Sequence, residues 1–425
     1  MAQLKDDCFA FSGGLVPLDK ALAHLTDQVS CIAGTESVPI RHALGRILAE
    51  DIPASRNVPP LDNSAVDGYA VYHADLNPDG DTRLPVAGRI AAGHPLDGRA
   101  DHGTAYRIFT GAPMPAGADG AQASGPDTVF MEEDATLDGD HVILPKGLRK
   151  GSNRRNAGED IKEGTVVLLT GQRFRAQDVG LAASVGRGAV TVFKRIRVAV
   201  FSTGDEVRDP SGDIADGCIF DANRFTVMSL LDGLSCAVTD LGILPDKRDA
   251  IADALGRAAA DHDLLITSGG VSAGEEDHVK AAVESLGSIH FWRLAIKPGR
   301  PVALGQVGDT AFVGLPGNPV AAMVTFMMVA RPLILLLGGA TDISAPRFPV
   351  KAGFAYKKKT GRREWARVKL AVNGGGLPVA EKRHSSGAGI LTSMVDADGL
   401  VELGEDITRI EEGAVVDFLP FREIT

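Results

Sequence analysis

LLITSGGVSAGEEDH, residues 264–278, decides how this chain is read. The apolar run Leu264-Leu265-Ile266 follows Asp263 and breaks into Ser268-Gly269-Gly270; Ser272-Ala273-Gly274 then lead into Glu275, Glu276 and Asp277. An apolar run that stops at glycines and restarts with acids reads as a buried strand, a glycine-rich turn and the first turn of a helix. Glycine lets a ligand approach the backbone closely, and free N–H groups at a helix start attract anions. Acids standing where phosphates are expected can share the site only with a metal ion or basic groups between them. The stretch therefore points to a phosphate-bearing ligand handled with a divalent cation, and it is not a P-loop.

Outward from this loop, strand and helix alternate. RIRVAVFS (195–202) reads as a strand that ends in Thr203-Gly204-Asp205-Glu206. A helix near 223–233, a strand at 236–243 and a helix at 247–261 follow, the last with Ile251, Ala254, Leu255 and Ala258 on one face. Then come the strand 264–267, a helix at 276–286, strands at 289–296 and 310–314, and a helix at 319–337. Such alternation implies a parallel sheet with helices on both faces and ligands at the carboxyl ends of the strands. Three loops fall on that edge: Thr203–Glu206, Ser268–Gly270 and Gly314-Leu315-Pro316-Gly317-Asn318. Glu206 and Asp277 occupy equivalent edge positions, where two carboxylates can hold a cation against phosphate oxygens. Taken alone, the Thr203–Glu206 turn is equally well a strand-to-helix turn with capping acids. Lys297-Pro298-Gly299-Arg300-Pro301 places two cations around a rigid turn and reads as an anion clamp. At 314–319, Asn318 as N-cap and Pro319 behind it suffice as structure, although the same helix start can serve an anion. His278 reads as a surface or capping residue, and no H-E-x-x-H occurs.

The rest of the chain has another texture. Residues 16–30 carry Leu18, Leu22, Leu25 and Val29 at helical spacing, and 39–50 (PIRHALGRILAE) read as a second short helix. Residues 51–150 are rich in turns and short apolar runs, which suggests an all-β insertion, and 345–425 suggest a small β-domain. The chain of 425 residues, 44% hydrophobic and 23% charged, is expected to form a soluble protein of several domains. A net charge of −11 argues against nucleic-acid binding and requires any anion site to gather local positive charge, as in Lys146, Arg149, Lys150, Arg154 and Arg155, or Lys297 and Arg300. Lys357-Lys358-Lys359 with Arg362 and Arg363 reads as a solvated hairpin turn. Cys8, Cys31, Cys218 and Cys236 form no C-x-x-C, which fits a reduced, cytoplasmic setting, and the N-terminus has no signal core. The apolar run 320–337 is broken by Arg331 and Pro332 and reads as a buried core helix rather than a membrane span.

The ordered set DNSAVDGYA (62–70), TGAPMPAGAD (110–119), RRNAGEDI (154–161), STGDEV (202–207), SGGVSAGEEDH (268–278), KPGRP (297–301) and GLPGNPVAA (314–322) resembles the molybdopterin molybdenumtransferases, the family of MoeA and the gephyrin E-domain. The block 195–340 alone would also suit the smaller molybdopterin-adenylating proteins that share its fold. The resemblance implies a multidomain α/β plus β protein: residues 15–50 with 151–190 as a helical linker part, 51–150 as a β-rich lid, 191–340 as the molybdopterin-binding α/β domain with a parallel-type sheet, and 341–425 as a C-terminal β-domain. It implies a homodimer in which the lid of one subunit faces the α/β domain of the other. It also implies insertion of molybdenum from molybdate into adenylated molybdopterin with release of AMP, aided by Mg2+. Partners would be an upstream adenylating protein and downstream proteins that load molybdoenzymes.

Carried over by motif, Asp67, Asp160 and Asp277 would be catalytic, and Glu206, Asp246 and Asp277 would face the metal. Thr110, Ser268, Gly269, Gly270, Ser272, Gly274, Lys297, Arg300, Pro316, Gly317, Asn318, Ser385 and Ser386 would contact substrate. Arg300 stands where the family often has lysine, and the Arg154-Arg155-Asn156 stretch is looser than the family's arginine runs. Adenylation of molybdopterin and a non-catalytic scaffold role are the competing expectations.

Overall fold

The computed structural model describes Leu4 and residues 14–118, 125–270, 278–371, 376–383 and 387–424, the side chain of Phe291 excepted. At its centre six strands form one sheet in the order Ala237–Leu244, Arg197–Thr203, Leu264–Ser268, Thr310–Leu315, Pro301–Val307, Gly287–Arg293. The first four are parallel; Pro301–Val307 runs against them and pairs antiparallel with both of its neighbours. The parallel sheet expected from the strand–helix alternation is present in those first four strands, and Pro301–Val307, which was not expected as a strand, adds antiparallel pairings at one edge. The added strand, Pro301–Val307, is reached through a tight hairpin in which Val307 pairs with Thr310 across Gly308-Asp309, with Gly308 at φ 61°. Glycine at the first central position is what a II′ turn requires, and its twist matches that of the flanking strands.

Alternate residues of these strands enter two different cores. Val198, Val200, Leu264, Ile266, Val313 and Leu315 pack with Val227 and Leu231 of the helix Ala222–Gly233 and with the long helix after residue 318. Ala199, Phe201, Leu265 and Phe312 pack on the other side with Ile251 and Leu255 of Arg248–Asp261 and with Val279 and Val283 of His278–Leu286. With both faces covered, the central strands read as unbroken apolar runs instead of alternating ones.

The long helix runs Pro319–Leu337, and 89% of its most apolar window is buried inside the protein. It serves as a core helix. Its middle, Phe326–Ala330, widens into a π turn before Arg331–Leu337. Pro332 has no N–H to donate and its ring crowds the preceding turn, which the wider turn relieves.

The helix expected at 16–30 is present as Leu18–Gln28. The one expected at 39–50 is not: Thr35–Pro39 is a strand paired with Ala189–Phe193, followed by a single 3-10 turn, Ile40–His42. Gly45 sits at φ 75°, outside the helical region, and Leu48 and Ala49 donate their N–H groups to Gln172 and Thr191. Pairing with distant backbone outweighs a modest helical propensity here.

Residues 68–144 form a six-stranded β sheet in the order Thr128–Met131, Gly68–Val71, Ala105–Ile108, Thr82–Ile90, His141–Leu144, Thr136–Asp138. At the other end, Arg363–Ala371, Val379–Lys382, Phe348–Ala352, Val415–Pro420 and Gly399–Leu403 pair in sequence, and Gly399–Leu403 closes back on Arg363–Ala371. The result is a small barrel around Val350, Val368, Ala380, Val401 and Phe418. The short strand Ile296–Lys297, from the loop beside the central sheet, joins this barrel by pairing with Arg363 and Glu364.

Candidate active site

Four parallel strands end on the same edge, and each delivers a loop there. Arg197–Thr203 leads to Glu206, Ala237–Leu244 to Asp246, Leu264–Ser268 to Gly269 and Gly270, and Thr310–Leu315 to Pro316, Gly317 and Asn318. Ser268, Gly269, Gly270, Gly317, Glu206 and Asp246 line one cavity of about 220 Å3. Gly270 sits at φ 64°, and a Cβ there would lie 2.8 Å from Val279 Cγ2 and 2.9 Å from Thr203 Cγ2, so no larger residue fits unchanged. Thr203 Oγ1 donates to Asp246 Oδ1 at 3.0 Å, which aims one of the two acids.

Asn223 holds these loops together and was not singled out by sequence reasoning. Its Nδ2 donates to Ser268 Oγ at 2.8 Å and to the Gly317 carbonyl at 2.7 Å, while Ser268 Oγ donates to the Pro316 carbonyl at 3.2 Å. The available signal was its place in the second position of a helix that Asp221 caps through Arg224 N. Arg224, only 3% exposed, reaches Asp221, Asp209 and Asp240 and so pins the 204–221 loop that carries Glu206.

A larger cleft of about 800 Å3 opens beside the first and shares Glu206, Gly269, Gly270 and Gly317 with it. One wall is the expected clamp, Lys297, Pro298, Gly299 and Arg300, with Pro316 and Asn318. The opposite wall is barrel: Tyr356, Lys357, Glu364, Trp365, Arg367, Lys382 and Arg383. Lys357 therefore faces a cleft, and Arg363 is buried, bound to Asp19 at 2.7 Å and Glu405 at 3.1 Å. Lys357 is itself exposed, as the solvated-hairpin reading expects, so that reading is corrected only at Arg363, which carboxylates from other segments hold in a buried place. Arg367 donates to the Gly387 carbonyl at 3.0 Å and to Ser393 Oγ at 2.9 Å. Burial first, and then the charges of Lys297 and Arg367, hold the Lys382 ammonium below its ordinary pKa. Such a concentration of cations in a chain of net charge −11 makes a local well for anions.

The lid motifs assemble elsewhere. Arg154 pairs with Ser64 and Arg155 with Asn63; Asn63 also bridges to Pro113, and Ala157 N donates to Asp62 Oδ1 at 2.8 Å. Thr110 donates both its N–H and its hydroxyl to Asp67 Oδ1, each at 2.7 Å. The Thr110 backbone N–H, then its hydroxyl, hold the Asp67 carboxyl below its ordinary pKa. Asp160 is exposed, with its N–H bound to the Val58 carbonyl at 3.0 Å. Three motifs far apart in sequence thus converge, yet Asp67, Thr110 and Asp160 line neither cavity of their own chain.

Ser272, Gly274, Asp277, Ser385 and Ser386 lie outside the described residues. Among the described residues no group of three or more His, Cys, Asp or Glu side chains is placed to hold a metal. Glu206 and Asp246, two oxygen donors on one cavity, do fit a hard cation completed by ligand phosphate, since Mg2+ is commonly held by one or two carboxylates plus phosphate oxygens.

Comparisons with known proteins agree along the whole chain. The family described as "MoeA N-terminal region (domain I and II)" matches residues 16–186, "Probable molybdopterin binding domain" matches 199–335, and "MoeA C-terminal region (domain IV)" matches 349–421. A molybdopterin molybdenumtransferase of Haemophilus influenzae is 38% identical over 412 residues, covering 96% of this chain and 100% of that one. Molybdopterin molybdenumtransferase 2 of Mycobacterium tuberculosis is 33% identical over 392 residues, covering 89% and 93%. The crystal structure of the molybdopterin biosynthesis moeA protein from Pyrococcus horikoshii OT3 superposes with a TM-score of 0.78 at 27% identity, covering 96% of this chain and 100% of that one. These full-length transferase relatives do not favour the adenylating or scaffold expectations. With the fold, the convergent loops and these relatives in agreement, the chain belongs to the molybdopterin molybdenumtransferase family and is a transferase.

Proposed function

We propose that this transferase takes molybdenum from molybdate, inserts it into adenylated molybdopterin and releases AMP. The observation that carries the reading is the cleft itself, in which the Lys297–Arg300 turn and the barrel cations face loops that end in Glu206 and Gly269-Gly270. Molybdate, the dithiolene and the phosphates are all anionic and repel unless cations neutralise them and the protein fixes their geometry. Lys297 and Arg300 are the residues for that task on the α/β side. Gly269, Gly270 and the 316–318 loop offer close backbone approach for phosphate. Glu206 and Asp246 would hold Mg2+, which when bound supplies charge neutralisation for the phosphoanhydride.

In the overall chemistry, the two dithiol sulfurs bond to molybdenum, and one molybdate oxygen leaves as water with the two thiol protons. Water then attacks one phosphorus, the bridging P–O bond breaks, and AMP separates from molybdopterin phosphate. Asp67, held ionised by Thr110, and Asp160 are suited to orient water or accept a proton. Their distance from the cavities of their own chain supports a homodimer in which the lid of one copy covers the α/β domain of the other. Cys31, Cys218 and Cys236 are free thiols, in keeping with a cytoplasmic setting. The decisive assay is AMP release from adenylated molybdopterin with and without molybdate. Release indifferent to molybdate, or pterin-dependent pyrophosphate release from ATP, refutes the proposal.

A further inference from the structure

On one face of the lid sheet, Arg107 stands against two aromatic rings. It is the register partner of Tyr69 on one side and of Arg89 on the other. Its guanidinium carbon lies 5.1 Å from the centre of the Tyr69 ring and 4.9 Å from that of Phe109, and Arg89 covers the Phe109 ring at 4.5 Å. Such faces attract a cation. One terminal nitrogen of Arg107 is paired with the Glu132 carboxylate, and the other donates to the Gly68 carbonyl at 3.4 Å. These contacts touch both segments that carry the Asp67–Thr110 pair, since Gly68 follows Asp67 and Phe109 precedes Thr110. Glu132 also donates its backbone N–H to the Asp67 carbonyl at 2.9 Å. A Cβ on Gly68 would lie 1.7 Å from the Phe130 carbonyl oxygen, so the chain beside Asp67 is pressed directly against the neighbouring strand. A planar fork with five donors can serve a carboxylate, a carbonyl and two rings at once, whereas an ammonium keeps the charge without that geometry.

We propose that Arg107 is a positioning residue for the reaction: it braces the segment that carries Asp67 against the segment that carries Thr110, an assignment that rests on the proposed catalytic role of Asp67. The carboxylate then meets the substrate in one orientation, with Oδ1 held by Thr110. Arg107 acts through that pair and is assigned no contact with substrate. The Thr110 N–H and hydroxyl first, and then the Arg107 charge, hold the Asp67 carboxyl below its ordinary pKa, so the brace and the ionised form support each other. Loosening the brace displaces the carboxylate and slows the chemical step, while ground-state binding, which other residues supply, is kept.

The test is a double-mutant cycle on the full chain, read as molybdate-dependent AMP release. Arg107→Met keeps the aliphatic stem but loses the fork and the charge; kcat should fall about tenfold while KM for adenylated molybdopterin stays within about twofold. Arg107→Lys restores the charge alone and should stay closer to Arg107→Met than to the wild type. In a Thr110→Val background the pair is already loosened, so Arg107→Met should cost about threefold or less. An undiminished loss in that background, a KM rise that matches the fall in kcat, or a wild-type kcat in Arg107→Lys overturns the inference, because each is what a general structural or electrostatic role would produce. Should Arg107→Met fail to fold, Glu132→Ala decides. Glu132 is 54% exposed, and removing its carboxylate should lower kcat about threefold at constant KM, whereas an unchanged kcat overturns the brace. A wild type without molybdate-dependent AMP release refutes the reaction, and amide hydrogen exchange read by mass spectrometry then judges the brace by itself. Exchange at the Thr110 N–H should be about tenfold faster in Arg107→Met, with the His141–Leu144 strand unchanged. Equal protection of Thr110 in both proteins overturns the brace whatever the reaction.

Discussion

Replacing Gly270 with alanine tests whether the loop that opens the site is held by backbone geometry, by packing, or by both. Gly270 has φ 64°, where an L-residue costs about 1–2 kcal/mol. Its added methyl would also meet Val279 Cγ2 at 2.8 Å and Thr203 Cγ2 at 2.9 Å. Val279 is fully buried on its helix and Thr203 is 5% exposed at the end of its strand, so neither yields freely. Overpacking of this kind costs about 1–3 kcal/mol, which makes the expected destabilisation about 2–5 kcal/mol. Gly269 supplies the control. It lies at φ 90°, but a methyl there meets nothing within 4 Å, so Gly269→Ala should cost only the backbone term of about 1–2 kcal/mol. The chain has two tryptophans, and Trp292 is fully buried in the central sheet while Trp365 belongs to the barrel. In a Trp365→Phe background, Trp292 fluorescence therefore follows urea unfolding of the α/β part alone. Equal costs for the two alanines, or a cost below about 1 kcal/mol for Gly270→Ala, would refute the steric argument.

Three other outcomes are expected. Asn223→Ala leaves Ser268 and the Gly317 carbonyl without their shared donor; at about 1–3 kcal/mol, KM for adenylated molybdopterin should rise by about fivefold or more in the AMP-release assay, and an unchanged KM would remove Asn223 from the site. Asp67→Asn and Asp160→Asn should each abolish metal insertion while the adenylated pterin still binds, as measured by equilibrium dialysis; equal loss of binding in both variants would sink their catalytic role. The Asp67 carboxyl titrates below its ordinary 3.8 because the folded state favours its ionised form. The Asp67–Thr110 contact thus adds stability above that ordinary value and loses it as pH falls through the depressed folded one. Thr110→Val removes the hydroxyl but keeps the N–H, and carbon-detected NMR titration should show the Asp67 midpoint move part of the way back toward 3.8.

The central sheet was legible because strands covered on both faces announce themselves as apolar runs, and the glycines after Ile266 and the acids after Thr203 mark their carboxyl ends. Pro301–Val307 was missed because its strand begins at the proline that closes the clamp motif, so the motif hid the strand. Residues 39–50 misled because Leu44, Ile47 and Leu48 suit a helix locally, whereas their backbone groups pair with segments 120 or more residues away. Half of the candidate site was legible for the same kind of reason: motifs at strand ends carry their own chemistry. Asn223, Glu364 and Arg367 were not, since each gains its role from partners supplied by other segments, and no local pattern distinguishes them from ordinary polar residues.

The pairing of Ile296–Lys297 with Arg363–Glu364 makes the barrel a structural component of the sheet-edge site rather than a detachable module. Deleting the barrel would strip Lys297 of its carboxylate partner, Glu364, and open a row of backbone donors and acceptors beside the clamp, an invitation to strand-to-strand association between molecules. Swapping barrels between relatives meets the same constraint: a transplanted barrel must present a compatible edge at the position of Arg363 and Glu364, or the graft loses the geometry of the cleft along with its own attachment.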